Sequence, residues 1–201
     1  MRILKKIKKI FFLPGRKPRK IRGGILKGIK MHIDFFNETQ LYLGLFERET
    51  HPYLRRMCKG IQTAVDVGAG TGEQTLFFLL KTNAEKIYAF EPGELERVSL
   101  EHNLELNAVD RSKLILSSKF VGSQTKDHVI SLDDALKRVC YPCFIKIDIE
   151  GAETDALLGA KEILKNDARF LIETHSAEQE RQCLDILKKN GFTMRIVDHA
   201  W

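Results

Sequence analysis

The residues with the plainest chemical promise are three glycines and two carboxylates. Gly68, Gly70 and Gly72 lie in Asp66-Val-Gly-Ala-Gly-Thr-Gly72, straight after an apolar, β-branched run, and Glu91 follows in Tyr88-Ala-Phe-Glu-Pro92. Glycine lets a chain turn sharply and lets its backbone approach a ligand. A phosphate-binding loop would need Gly-x4-Gly-Lys-Ser/Thr, which does not occur here. A dinucleotide fingerprint would need glycine where Glu73 stands, which argues against a nicotinamide-dependent oxidoreductase. The spacing suits S-adenosylmethionine, which has no pyrophosphate to cradle. Its carboxylate would use amides at a helix N-terminus, and its ammonium would be met by an acid such as Asp66. Glu91, at the end of the next strand, would accept the ribose hydroxyls. The expected cofactor set is Asp66, Gly68, Ala69, Gly70, Gly72, Glu91 and Pro92. The bland alternative is a glycine turn beside an exposed strand-end charge.

A second group lies in Phe144-Ile-Lys-Ile-Asp-Ile-Glu-Gly-Ala-Glu153 and Ile172-Glu-Thr-His175. Strand alternation puts Lys146, Asp148 and Glu150 on one face, where buried charges need partners or ligands. A hydroxyl attacking a methyl group must lose its proton, so a base is useful. Asp148, Glu150 and His175 are the candidates, His175 being the one whose ordinary pKa lies near neutrality. Lys146, counted with them as catalytic, would otherwise pair with Asp148 or Glu173 and only order the crevice. A divalent metal on Asp148, Glu150, Glu173 and His175 is the less favoured alternative, and no metal is expected.

These residues need a scaffold. From Gly60 onward, strands are expected over 62–67, 86–90, 113–117, 143–149, 169–174 and 192–197. Helices are expected over 71–81, 94–107, 132–139, 152–165 and 177–190. Such alternation implies an α/β fold of the Rossmann-like, doubly wound kind, with a mostly parallel sheet and a ligand crevice at the carboxyl ends of its strands. Each acidic motif falls at such an end.

The strings Asp66-Val-Gly-Ala-Gly70, Ala89-Phe-Glu-Pro92, Lys146-Ile-Asp-Ile-Glu-Gly-Ala-Glu153 and Ile172-Glu-Thr-His175 together resemble the FkbM family of methyltransferases, over about residues 40 to 190. The resemblance implies a class I methyltransferase fold and S-adenosylmethionine-dependent transfer to a hydroxyl oxygen of a sugar, glycolipid or polyketide. Two features depart from the family pattern. Thr71 stands near a position where the family usually has asparagine, and one strand rather than a hairpin is expected after the fifth. Part of the substrate wall is therefore expected from the N-terminal segment or a partner chain.

Charge divides the chain. Of 33 Lys and Arg, twelve fall in residues 1–31, which hold no acid, leaving 21 against 27 acidic residues in the remainder. The expected organisation is a basic extension over 1–31 and a methyltransferase domain over 32–201. Ile3, Leu4, Ile7, Ile10 and Phe11 share a helical face among lysines, and Pro14-Gly15 stops that helix. This helix would either lie on an anionic membrane surface or pack on the body. Nucleic acid is the poorer partner, because the Asn/Asp-Pro-Pro-Tyr motif of enzymes methylating base amines does not occur. A nucleic-acid-directed or non-catalytic cofactor-binding module nevertheless remains the alternative function.

No apolar run approaches the roughly 18 residues of a spanning helix. Cys58, Cys140, Cys143 and Cys183, in a chain with no convincing secretory signal, favour a reduced cytoplasmic setting, with membrane contact at most peripheral. Cys140-Tyr-Pro-Cys143 has redox spacing but runs into a strand, where two small apolar residues are the simpler reading.

Overall fold

A computed structural model describes residues 15–198. The amphipathic helix expected before Pro14 lies outside the described residues.

Five parallel strands form the central sheet: β3 (Thr63–Val67), β4 (Lys86–Phe90), β5 (Leu114–Ser117), β8 (Cys143–Ile147) and β9 (Ala168–Ile172), in the order β5-β4-β3-β8-β9. β3 and β8 are buried along their whole length, as central parallel strands covered on both faces must be. Alternation along β3, β4 and β8 splits their side chains between two cores. Ala64, Ile87, Ala89 and Phe144 join one apolar cluster; Val65, Val67, Ile145 and Ile147 join the other. The helices covering the faces include α3 (Glu73–Lys81) and α4 (Glu94–Glu105), then α6 (Glu153–Leu158) and α7 (Ala177–Lys189); α1 (Thr39–Leu43), α2 (His51–Met57) and α5 (Leu132–Ala135) are short. The doubly wound, mostly parallel sheet read from the sequence is the one observed. A short parallel pair, β6 (Phe120–Val121) with β7 (Val129–Ile130), occupies the link before α5.

Ahead of the sheet, β1 (Arg16–Lys20) and β2 (Lys30–Asp34) form an antiparallel hairpin. The division drawn at 31/32 falls inside β2. Met31 and Ile33 are fully buried, and Ile21, Leu26 and Ile29 enter the same cluster as Leu100 and Leu104 of α4. Two asparagines of α4 and its C-terminal turn satisfy the free edge of β2. Asn107 Oδ1 accepts from Lys30 N–H at 2.9 Å, and Asn103 Oδ1 accepts from His32 N–H at 2.7 Å. Edge amides satisfied in this way are not free to pair with another strand.

Four differences from expectation bear on the packing. The helix expected from Thr71 begins at Glu73, because Gly70 and Gly72 take positive φ of 51° and 97°. The helix expected over 132–139 stops at Ala135, in a turn where Leu136 N–H closes on the Leu132 carbonyl. The helix expected over 152–165 breaks after Leu158. Gly159 forms the C-terminal cap there and packs so closely on Gly122 that a Cβ would lie 2.1 Å from the Gly122 carbonyl oxygen. The Asp133 carboxylate then accepts from the backbone N–H groups of Glu162 and Ile163 and starts a separate 3-10 turn. Finally, residues 192–198 form no strand. Phe192 packs edge-on against Phe170, and Arg195 lies over the Tyr53 ring, so side chains rather than a ladder hold this segment.

Candidate functional site

The carboxyl ends of β4, β3, β8 and β9 lie side by side, and the loops leaving them carry the charged residues. After β3, Gly68 N–H and Ala69 N–H both donate to the Phe90 carbonyl, at 2.9 and 3.0 Å, which ties the glycine loop to the end of β4. Glu91 completes that tie. Its carboxylate accepts from Gly70 N–H and from Gly93 N–H, each at 2.7 Å, while Arg97 donates to the carbonyls of Glu91 and Pro92. Two backbone amides thus set the orientation of a carboxylate whose remaining lone pairs are free to accept.

Glycine is required at Gly68 for a definite reason. Its φ is +84°, and a Cβ there would stand 1.8 Å from the Asp148 carbonyl oxygen, so the first loop could not pass the end of β8. At Gly70, by contrast, a Cβ would point into open space, with nothing within 4 Å. Glu91 borders that open space through its hydrogen bond from Gly70 N–H.

Asp66 sits beside Lys146 in the β3–β8 register. It is 1% exposed and accepts from Thr75 Oγ1 at 2.6 Å. Burial pushes its carboxyl up to about 7, against the opposing charge of Lys146 and the Thr75 hydrogen bond. It therefore braces β3 against α3 and stands behind the loop, away from solvent.

Lys146, 5% exposed, anchors the next cluster. Its Nζ lies 3.2 Å from Asp148 Oδ2 and 3.3 Å from Glu47 Oε2. Burial alone would lower its pKa, but the charges of Glu47, Asp148 and Asp66 outweigh burial and raise it. Asp148 faces His175 on its other side, with Oδ1 3.6 Å from Nε2, and His175 Nδ1 lies 2.7 Å from Glu153 Oε1. Glu153 is completely buried and also accepts from Gly151 N–H at 2.9 Å. The Glu153 hydrogen bond, against partial burial, raises the pKa of His175. Burial first, then repulsion from Asp148 and Glu47, raises that of Glu173. The arrangement is a chain, Glu47–Lys146–Asp148–His175–Glu153, that holds a titratable imidazole at the crevice.

Of the predicted catalytic set, Lys146, Asp148 and His175 converge, and Glu150 does not. The strand ends at Ile147, and Glu150, with φ of +45° before Gly151 at +97°, turns out to solvent. Alternation along a longer strand is therefore not kept. Donor atoms of Asp148, Glu173 and His175 lie within 4.8 Å of one another. The ammonium of Lys146 already pairs with one carboxylate oxygen of Asp148.

Glu47 is the residue that sequence reasoning missed. It lies in the turn between α1 and α2 with φ of +45°, and 99 positions separate it from Lys146. No local pattern marks it. Thr75 was legible only in hindsight, as a hydroxyl one helical turn past the glycine loop. The thiol of Cys143 is buried and pushed up to about 12, the opposite of a redox-active thiolate, and all four cysteines are unpaired. Among the described residues, no helix is long and apolar enough to cross a membrane.

Comparison with known proteins bears on the family and the fold. Residues 110–194 match the family described as Methyltransferase FkbM domain, so the resemblance read from the sequence holds over that stretch. The structure of methyltransferase FkbM from Methylobacillus flagellatus is similar with a TM-score of 0.56 at 26% identity, covering 63% of this chain and 37% of that one. The chain thus spans a little over a third of the length of that relative. A ribosomal protein L11 methylase from Lactobacillus delbrueckii is similar with a TM-score of 0.55 at 19% identity, covering 77% and 72% of the two chains. A Streptococcus mutans protein solved in complex with SAH is similar with a TM-score of 0.52 at 17% identity, covering 71% and 82%. The last two likenesses establish the fold, that of class I methyltransferases. No curated protein matches the sequence.

Proposed function

We propose that this chain, with its FkbM methyltransferase domain match, transfers a methyl group from S-adenosylmethionine to a hydroxyl of a sugar, glycolipid or other small acceptor. The observation that carries the reading is the placement of a Glu91-braced glycine loop beside the Asp148–His175–Glu153 chain at adjacent strand ends. The N-terminal end of α3 would receive the aminoacyl end of the cofactor and Glu91 its ribose, while Asp66, buried against Thr75, braces the loop from behind. Ala69 and Pro92 would line the same opening.

Bound there, the cofactor supplies a sulfonium-activated methyl carbon. Transfer of that methyl to the acceptor oxygen would leave the C–S electron pair on sulfur and release the hydroxyl proton. The hydroxyl proton passes to His175 Nε2, and Asp148 and Glu153 on either side of the ring stabilise the imidazolium that forms. Lys146, tied to Glu47, holds Asp148 in place. The basic segment over 1–31 would bring the domain to an anionic membrane surface when the acceptor is lipid-linked.

Calorimetry with the cofactor tests the first half. Glu91→Ala should weaken binding by at least about tenfold, since two hydrogen bonds to a carboxylate are lost along with the ribose contact. Gly70→Val, which fills the open space, should do the same; unchanged affinity in both variants would sink the reading. Labelled cofactor assayed against a panel of sugar and lipid hydroxyl acceptors tests the second half.

A further inference from the structure

We infer that Glu153 is a positioning residue: its buried carboxylate holds His175 in the tautomer protonated on Nδ1, so that Nε2 keeps its lone pair toward Asp148. The inference rests on the hydroxyl-methylation reading and deepens it by saying what makes His175 a competent proton acceptor.

Two features set this pair apart from a surface ion pair. Glu153 has no solvent exposure, whereas His175 keeps 35% of its side chain accessible. One end of the pair is therefore locked in the fold and the other stands at the crevice. The contact from Nδ1 to Oε1 is 2.7 Å, and with Glu153 ionised its Oε1, which already accepts from Gly151 N–H, can only accept, which puts the ring proton on Nδ1. The other nitrogen stands 3.6 Å from Asp148 Oδ1, too long for a direct hydrogen bond, so no strong partner fixes the ring from that side. Gly151 N–H, donating at 2.9 Å to the same Oε1, fixes the carboxylate in turn.

The groups facing His175 are Glu153 on α6, Asp148 after β8 and Glu173 at the end of β9, with Lys146 and Glu47 one step further through Asp148. All three direct neighbours are acids. A proton arriving on Nε2 therefore meets two flanking carboxylates, and the positive ring is stabilised as it forms. Removing Glu153 would free the tautomer and lower the basicity of the ring. A purely structural role, holding the Gly151 turn through the same carboxylate, would affect neither.

The test is nitrogen NMR on the full chain labelled with 15N-histidine, with the His175 signals assigned by their loss in His175→Gln. In the wild-type protein above its midpoint, neutral His175 should carry its proton on Nδ1. In Glu153→Gln the midpoint should fall by about one pH unit. In acceptor assays kcat should drop by about tenfold with the cofactor KM unchanged, and the acid limb of its pH profile should move down with the midpoint. In a His175→Gln background the same substitution should change kcat less than about twofold, because Glu153 acts through the ring. A wild-type ring protonated on Nε2 overturns the inference, even if Glu153→Gln does not fold. So does a folded Glu153→Gln protein whose His175 midpoint is unmoved. If tautomer and midpoint behave as expected but no hydroxyl acceptor is methylated, the hold of Glu153 on His175 stands and the methylation reading fails.

Discussion

At the carboxyl ends of the strands, Glu47, Asp66, Asp148, Glu153 and Glu173 crowd around two basic groups, Lys146 and His175. Beside the amino ends of β3 and β4, a cleft of about 510 Å³ shows the opposite sign: Lys27, Arg55, Lys59 and Lys81 line it, with no acid among its lining residues. Both regions are rich in charge, yet the physics differs. In the acidic crevice most groups are withdrawn from water, so each needs a partner, and shifted proton affinities record the cost of the imbalance. In the basic cleft the four cations are exposed. Arg55 and Lys81 stand in the last turns of α2 and α3, where the carbonyl ends of the helices favour positive charge. Charge held in place against solvent is a resource for chemistry; charge left in water is chiefly a solvated surface.

Substitutions should separate the two regions sharply. The largest effect is expected for Lys146→Met, which leaves Glu47, Asp148 and Asp66 without a counter-charge; unfolding in urea should show a loss of about 3–5 kcal/mol.

Asp66→Asn should act in the other direction, and only above acidic pH. Because the folded carboxyl is raised to about 7, its contribution to stability is fully present below the unfolded pKa of about 4 and is lost as pH rises through 7. Stability of the cofactor-free wild type relative to Asp66→Asn should therefore fall by a few kcal/mol, on the order of 3, between pH 4 and pH 8. A flat difference would show that Asp66 is not held protonated by burial.

Gly68→Ala comes next. The clash with the Asp148 carbonyl and the positive φ should cost about 2 kcal/mol and displace Asp148, so the loss should appear in both thermal unfolding and cofactor affinity. The smallest effects belong to the basic cleft. Lys59→Gln and Lys81→Gln should each change stability by less than about 0.5 kcal/mol, and a change as large as that of Lys146→Met would erase the contrast.

Much of this arrangement is legible in the sequence. The apolar runs of β3 and β8 are long because both faces are covered, and the glycine loop is recognisable because its backbone demands glycine. Chain patterns mark such features because their causes are local. Helix and strand ends were less legible: alternation put Glu150 on the face of Lys146 and Asp148, yet the strand stops at Ile147 and the chain turns at Glu150 and Gly151, and the helix over 152–165 breaks at Gly159. The segment after Gly191 had a strand-like composition, but a strand exists only where a neighbour completes the ladder, and here side-chain packing on Phe170 and Tyr53 takes its place.

The amino-acid sequence by itself determined the order of strands and helices, the glycine loop with its following acid, and the presence of Lys146, Asp148 and His175 at the ends of two strands, because hydrophobic period and backbone freedom are properties of neighbouring residues. Only the tertiary structure decided that Glu47 reaches Lys146 from a distant turn, that Glu91 is oriented by the amides of Gly70 and Gly93, and that a buried Glu153 grips His175. Those contacts depend on how far elements approach and how much water they exclude, and both are set by the packed fold as a whole.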